Sequence, residues 1–278
     1  MRMPKIITLI PSILLDALSG LPVTSEASQE RAWDLLEESS EAGSLQEARE
    51  ILEEALELDP HNAHIMISLH GMLKMEPEAE LELLHKMLAF AERELDSELF
   101  EDARGHFWHV SETRPYMLIR DHIAENLLVL GRLEEAAEEW QAMLALNPND
   151  NQGIRYSLLC CLLALGKLAE VRGLFEAYDE CSFNTTFAWG KVLERLIAGD
   201  EVGAKEAVNV ARKQNPHTEK LLLGKAKMPK HLLDSYMGGD ISEAQHFADR
   251  IFLAWSKHPS ALGWLLVQGK KPAGTKKK

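Results

Sequence analysis

The chain has 278 residues, of which 46% are hydrophobic and 27% charged, so it is long enough to bury a sizeable core and too apolar for an intrinsically disordered protein. Aromatic residues make up only 6%, while Leu, Ala and Glu dominate, which argues against a β-sandwich or β-barrel. The 44 acidic and 30 basic residues give a net charge of −14, which argues against nucleic-acid binding through bulk charge.

The first 24 residues predict a leader segment. Its apolar run from Ile6 to Leu15 is interrupted by Pro11 and is too short for a bilayer, which needs about 20 residues. One interpretation is a signal peptide within residues 1–19. We favour an amphipathic leader that docks on the first helices, because three cysteines without a CxxC pair indicate a reducing, cytoplasmic location.

The segment from Glu26 to Asp102 is strongly acidic. It holds 22 Asp and Glu against 5 Lys and Arg, a net charge of −17, whereas the rest of the chain has a net charge of +3. This asymmetry is typical of solvated acidic helix faces, or of a surface that meets a basic partner.

A spacing of Gly, then Ala five residues later, then Pro twelve residues beyond recurs along the chain. The full copies are Gly43, Ala48, Pro60; Gly131, Ala136, Pro148; and Gly199, Ala204, Pro216, with partial copies at Gly166 and Gly239. Gly adopts the left-handed conformation that ends a helix, Ala lets two helices approach closely, and Pro ends the second helix. The pattern predicts an all-α fold of helix hairpins with a period of about 34 residues.

This spacing resembles that of the tetratricopeptide-repeat (TPR) family. The Trp and Tyr that usually begin the first helix of a TPR are mostly replaced here, by Ile123, Leu127, Leu159 and Leu162. The resemblance implies a right-handed α-solenoid of roughly five helix pairs. We assign it to residues 25–266, with an irregular helical insertion at about 61–105 because the register is lost there.

A narrower resemblance covers residues 105–265. The runs from Gly105 to Trp108, from Glu112 to Met117 and from Asn147 to Tyr156 resemble the suppressor-of-tumorigenicity-7 family and its bacterial relatives. That resemblance implies helical repeats but no particular reaction. Animal members carry membrane segments near their start, and since this sequence has no such segment we expect no integral membrane span.

The repeat register places six residues on the inward face of three successive first helices: Asp121, His122, Glu125, Arg155, Tyr156 and Trp189. Helical-repeat proteins bind extended or helical peptides along such a concave groove. The acids and aromatics favour a peptide or protein partner with basic and apolar side chains. The sequence therefore predicts a non-catalytic protein-interaction scaffold.

The alternative is an enzyme, a hydrolase or modifying activity, with its site near His106, Glu112 and Asp121. That alternative requires the three side chains to converge in a closed cleft. Neither a metal nor a cofactor is expected. His106 and His109 lie three residues apart without a third ligand fixed by spacing, and the sequence has no P-loop and no nucleophile elbow.

The last apolar residues predict a helix that caps the solenoid, and two copies could pair through it as a homodimer. The residues in question are Trp255, Leu262, Trp264, Leu265 and Leu266. Residues 267–278 hold five lysines with Gly269, Pro272 and Gly274, which predicts a basic disordered tail.

Overall fold

The computed structural model describes residues 10–233 and 235–268. Within these ranges the chain forms helices and no strand, which confirms the all-α fold class. The chain divides between Gln152 and Gly153 into two compact units, whereas the repeat pattern predicted one domain at 25–266. None of the described helices is long and apolar enough to cross a membrane.

The first unit contains eight helices within its described residues. Their bounds are α1 Ser12–Leu18, α2 Glu26–Ser40, α3 Leu45–Leu58, α4 Ala63–His70, α5 Pro77–Glu94, α6 Ser97–Asp102, α7 Arg114–Val129 and α8 Leu133–Leu146. Helix pairs α2–α3 and α7–α8 form hairpins, and α5 packs along α7. The predicted irregular insertion therefore consists of α4, α5 and α6.

Helix α1 lies in the predicted leader, residues 1–24. Its Leu14 and Ala17 are buried and it packs against α3, as expected for an amphipathic segment that docks on the first helices. Residues 1–9, which contain the first four of the ten residues of the candidate signal-peptide core, lie outside the described residues.

The second unit contains seven helices within its described residues. Their bounds are α9 Ile154–Leu165, α10 Leu168–Ala177, α11 Thr185–Ile197, α12 Glu201–Gln214, α13 Thr218–Leu222, α14 Ile241–Lys257 and α15 Pro259–Gln268. Because α15 continues to Gln268, the predicted tail at 267–278 begins two residues too early. The remainder of that tail lies outside the described residues.

Helix α14 returns to the start of the second unit. It packs against α9 and α11 as well as against its sequence neighbours, and His258 Nε2 at its end lies 2.8 Å from the Leu163 carbonyl oxygen. Simple stacking of repeats brings each hairpin into contact with its neighbours alone. The return of α14 adds a long-range contact, and that contact covers the face shared by α9 and α11.

The repeat glycines behave as predicted at four of five positions. Gly131, Gly166, Gly199 and Gly239 have φ values of 76°, 71°, 76° and 81°, the left-handed conformation that costs glycine little. The prediction is wrong for Gly43, which lacks a positive φ. Helix α2 has already ended at Ser40, and the Gly43 N–H instead donates to Glu47 Oε2 at 2.9 Å.

The repeat prolines mark helix ends. Helices α3, α8 and α12 end at Leu58, Leu146 and Gln214, each two residues before the Pro of its copy, as the spacing predicts. Asn149, Asp150 and Asn151 follow Pro148, and Asn and Asp side chains commonly cap a following helix. These three do not cap α9, because α9 begins after Gly153, which has φ 80° and offers no side chain.

Replacing Ala136 with leucine is expected to lower the free energy of unfolding by about 1–3 kcal/mol. Ala136 is fully buried on α8, which pairs with α7, so three added carbons have to displace well-packed neighbours. Urea denaturation followed by circular dichroism measures the loss. Ala145→Leu is the control, since Ala145 is exposed on the same helix. Equal stability of the two variants would contradict a close crossing at Ala136.

Candidate functional site

An open cleft of about 590 Å³ lies in the first unit, where several helices begin or end. Its walls come from α2, the α3–α4 turn, the end of α5, α6 and the start of α7. The aromatic and ionisable side chains that line it are Trp33, Tyr116, Asp59, Glu94, Asp96, Glu112, His61 and His64.

Local hydrogen bonds fix the rim of this acidic cleft. Asn62 Oδ1 caps α4 by accepting from the backbone N–H groups of His64 and Ile65 at 3.1 and 3.3 Å. Asp96 Oδ1 begins α6 by accepting from the Glu98 N–H at 2.9 Å. Because these caps hold the turns, the lining side chains project from a preformed surface.

Trp33 supplies the main aromatic surface of the cleft. It lies on α2, its side chain is 45% exposed, and its ring is 5.1 Å from the ring of His64. His64 Nε2 lies 3.1 Å from the carbonyl oxygen of Ser111. Burial lowers the pKa of His64, so the ring is neutral at pH 7 and Nε2 carries the proton that it donates to Ser111.

His61 links three segments at the edge of the cleft. Its Nδ1 lies 2.7 Å from Glu94 Oε2 and its Nε2 lies 2.7 Å from the carbonyl oxygen of Leu21. Both partners are acceptors, so both bonds form together only with the imidazolium ion. The hydrogen bond to Glu94 is the main reason why the pKa of His61 is raised.

The cleft is electrostatically negative. Of the described residues that line it, four are Asp or Glu and none is Lys or Arg. Asp59 and Glu112 accept hydrogen bonds from the uncharged Asn62 amide and Ser111 hydroxyl, whereas Glu94 is paired with His61 and Arg93. With four acidic residues against the one cationic ring of His61, the lining has a net negative charge, and such a surface attracts cationic ligands.

The predicted groove residues of the first unit, Asp121, His122 and Glu125, do not line this cleft. Asp121 Oδ1 accepts a hydrogen bond from Trp140 Nε1 at 2.9 Å, which ties α7 to α8. The His122 ring packs edge-on against His70 of α4 at 5.3 Å, and Glu125 is exposed. Asp121 and His122 therefore support the packing of the first unit.

Two more predicted groove residues, Arg155 and Tyr156 on α9, form an internal network in the second unit. Arg155 Nε and the Tyr156 hydroxyl each donate to Glu180 at 2.9 Å, and Arg155 Nη2 lies 2.7 Å from the Tyr156 oxygen. Burial raises the pKa of Tyr156 to about 12. This network joins the start of α9 to the turn between α10 and α11.

The expectation that Trp189 is an accessible groove anchor is wrong. Its side chain is 0% exposed, and its ring packs edge-on against Trp255 of α14 at 6.1 Å. Tyr156 is partly covered by the same helix, since its ring lies 6.3 Å from Phe247. In the second unit α14 itself occupies the face that the repeat register assigned to a partner. Trp189 is therefore excluded from the predicted groove. That the other five residues share one surface stays a prediction.

The residues of the enzyme alternative are not gathered in the cleft. Glu112 lines it, but His106 and Asp121 do not. The backbone N–H of Glu112, followed by the Ser111 hydroxyl, lowers the pKa of that carboxyl, so it is an anion at pH 7. Among residues 10–233 and 235–268, no three His, Cys, Asp or Glu side chains are grouped so as to hold a metal ion.

The prediction of site residues missed Trp33, His61 and His64. The sequence signals that point to them are the acidic excess between Glu26 and Asp102, which contains them all, and the turn after Pro60, where a repeat hairpin ends. Neither signal specifies which side chains face a common cleft, because that depends on the packing of α2, α5 and α7.

Comparison with known proteins gives few matches. No family model matches the chain, and no curated protein matches it. The resemblance of residues 105–265 to the suppressor-of-tumorigenicity-7 family therefore stays a prediction. Among solved structures, the chain is similar to YrrB, described as a TPR protein with an unusual peptide-binding site. That match has 17% identity and a TM-score of 0.43, and covers 72% of this chain and 91% of YrrB. A likeness of this degree carries no argument about function.

Proposed function

We propose that the protein is a non-catalytic scaffold that binds a peptide or protein segment with basic and apolar side chains in the acidic cleft of the first unit. The observation that carries this proposal is the composition of the cleft, in which a half-exposed Trp33 lies among four carboxylate residues without a lining Lys or Arg among the described residues. The site differs from the predicted groove, but the partner chemistry is the same.

The cleft has the properties of a peptide site. Its volume of about 590 Å³ is within the range of ligand pockets, roughly 300–1,000 Å³. Tryptophan is enriched among the residues that dominate interface energy, since it offers a large rigid surface. The capped helix ends around the cleft keep that surface in place before a partner arrives, which lowers the entropy cost of binding.

An enzyme remains the less favoured alternative. A general acid at this site would need a carboxyl whose pKa is raised, whereas the pKa of Glu112 is lowered. Of the three cysteines, Cys160 and Cys161 are buried and all three are free thiols. Since burial raises the pKa of Cys160 to about 12, that thiol is a poor nucleophile.

We also propose a cytoplasmic location for the protein. The three free thiols support this proposal, since thiols stay reduced in that compartment.

Replacing Trp33 with alanine is expected to weaken peptide binding by about thirtyfold, the equivalent of about 2 kcal/mol at an aromatic anchor. The probe is a fluorescein-labelled nonapeptide that contains three lysines and three leucines, titrated by fluorescence anisotropy. The control is Trp108→Ala, because Trp108 is half-buried in the same unit but does not line the cleft. Equal losses in both variants would contradict the assignment of the cleft.

A second pair of variants tests the charge of the cleft. Glu112→Gln should slow association and reduce its salt dependence, since a rim charge acts mainly on the association rate. Glu138→Gln removes an exposed charge from α8, away from the cleft, and should have little effect.

A further inference from the structure

The second unit presents a segment whose chemistry complements the acidic cleft. Residues 225–233, here called the basic loop, lie between α13 and α14 and have the sequence KAKMPKHLL. They contain Lys225, Lys227 and Lys230 without an acidic residue. A stretch with basic and apolar side chains is the partner that the cleft composition favours.

The basic loop is accessible. Every residue in it except Ala226 is exposed, including large apolar side chains: Met228 is 39% exposed, Leu232 36% and Leu233 65%. Neighbouring apolar side chains on a soluble domain are usually covered, so such a group indicates an interaction surface.

The loop backbone is held at both ends by hydrogen bonds. The N–H groups of Lys225 and Ala226 donate to the Lys220 carbonyl oxygen at 2.7 and 3.1 Å, and His246 Nε2 of α14 lies 2.6 Å from the Leu233 carbonyl oxygen. Residues 227–229 have no regular secondary structure, and Pro229 disfavours the helical conformation at Met228. A segment fixed at its ends loses less entropy on binding than a free peptide.

From these observations we infer that the basic loop of one molecule docks in the acidic cleft of a second copy of this chain. The inference rests on the proposed function, because it names a partner for the same cleft. The lysines of the loop face the carboxylates of the cleft, and Leu232 and Leu233 supply the apolar contact for Trp33. The cleft belongs to the first unit and the loop to the second, so the contact is heterologous and leaves a free cleft at one end of the assembly and a free loop at the other.

Sedimentation velocity over a concentration series tests this assembly. Wild-type protein should form dimers and larger species as its concentration rises, and 500 mM NaCl should reverse the association, because salt shortens the Debye length to a few ångströms. The double variant Lys227→Glu/Lys230→Glu should stay monomeric. Its control is Lys205→Glu/Lys213→Glu, which reverses two exposed charges on α12 and should associate like wild type.

Mixing two defective variants tests the head-to-tail geometry. Trp33→Ala/Glu112→Lys loses the cleft but keeps the loop, while Lys227→Glu/Lys230→Glu loses the loop but keeps the cleft. Each variant alone should be monomeric, and an equimolar mixture should form dimers that grow no further. Wild-type protein that stays monomeric, or a mixture that stays monomeric while wild type associates, overturns the inference.

A peptide measurement separates the failure of this inference from the failure of the proposed function. Lys227→Glu/Lys230→Glu protein, whose own loop cannot compete, is titrated into labelled peptide 225–233 and into the lysine–leucine nonapeptide. We expect both peptides to bind, each about thirtyfold more weakly after Trp33→Ala. If only the nonapeptide binds, the second-copy inference fails and the proposed function stands. If neither peptide shows Trp33-dependent binding, both fail.

Discussion

Replacing Trp189 with alanine is expected to lower the free energy of unfolding of the second unit by about 3–5 kcal/mol, the range for a large aromatic side chain removed from a core. Trp189 is fully buried and packs against Trp255, so the truncation leaves a cavity between α11 and α14. Urea denaturation followed by circular dichroism, with the transition of each unit fitted separately, measures the loss.

The matched control is Phe252→Ala. Phe252 lies on α14 but is 49% exposed, so its removal should change the free energy of unfolding by roughly 0.5 kcal/mol or less. A groove anchor would give the opposite result for Trp189, with lower peptide affinity and nearly unchanged stability. That outcome would restore the groove predicted from the repeat register.

Acidification from pH 7 to pH 4 is expected to destabilise the first unit by about 3 kcal/mol through His70 alone. His70 is 3% exposed, and burial followed by the charge of His122 lowers its pKa to about 4 from 6.5. Between these two values the unfolded chain binds a proton at His70 that the folded chain does not. The free energy of unfolding therefore decreases as the pH is lowered. The decrease is about 1.4 kcal/mol for each unit by which the pKa of His70 in the folded chain lies below its value in the unfolded chain.

The groups that face His70 leave it neutral. Glu80 Oε1 of α5 lies 3.3 Å from His70 Nε2, but the contact lacks hydrogen-bond geometry, and burial raises the pKa of Glu80. On α7, the His122 ring approaches the His70 ring edge-on.

Replacing His70 with leucine should reduce the number of protons taken up on unfolding by about one. Urea denaturation at a series of pH values between 7 and 4 measures this number. If the free energy of unfolding has the same pH dependence in wild type and His70→Leu, or if His70 titrates near pH 6.5 by NMR, this assignment is contradicted.

Local sequence signals predicted much of the helical architecture. Glycines 131, 166, 199 and 239 end helices or turns because only a residue without Cβ readily adopts a positive φ. Prolines 60, 148 and 216 follow helix ends because proline lacks the N–H that a continuing helix needs. Both effects act within a few residues, so they can be recognised in one sequence.

The candidate site could not be predicted in the same way. Helical periodicity assigned Trp189 to a concave groove, but whether that face of α11 meets solvent depends on α14, which returns from far along the chain. The acidic excess between Glu26 and Asp102 left open either solvated acidic helix faces or a surface for a basic partner. The acidic side chains gather around Trp33 because of the packing of α2, α5 and α7, and no local sequence pattern predicts that packing.

The return of α14 also affects the protein during its synthesis. The ribosome completes α9 at Leu165 and reaches the start of α14 at Ile241 only after another 75 residues, which takes roughly 4–15 s at common rates of translation. Until α14 is made, the apolar face of α9, and that of α11 around Trp189 once α11 is complete, lack the cover that α14 supplies. Nascent protein is therefore most exposed to aggregation just before α14 emerges, and ribosome-associated chaperones are expected to act on it at that stage.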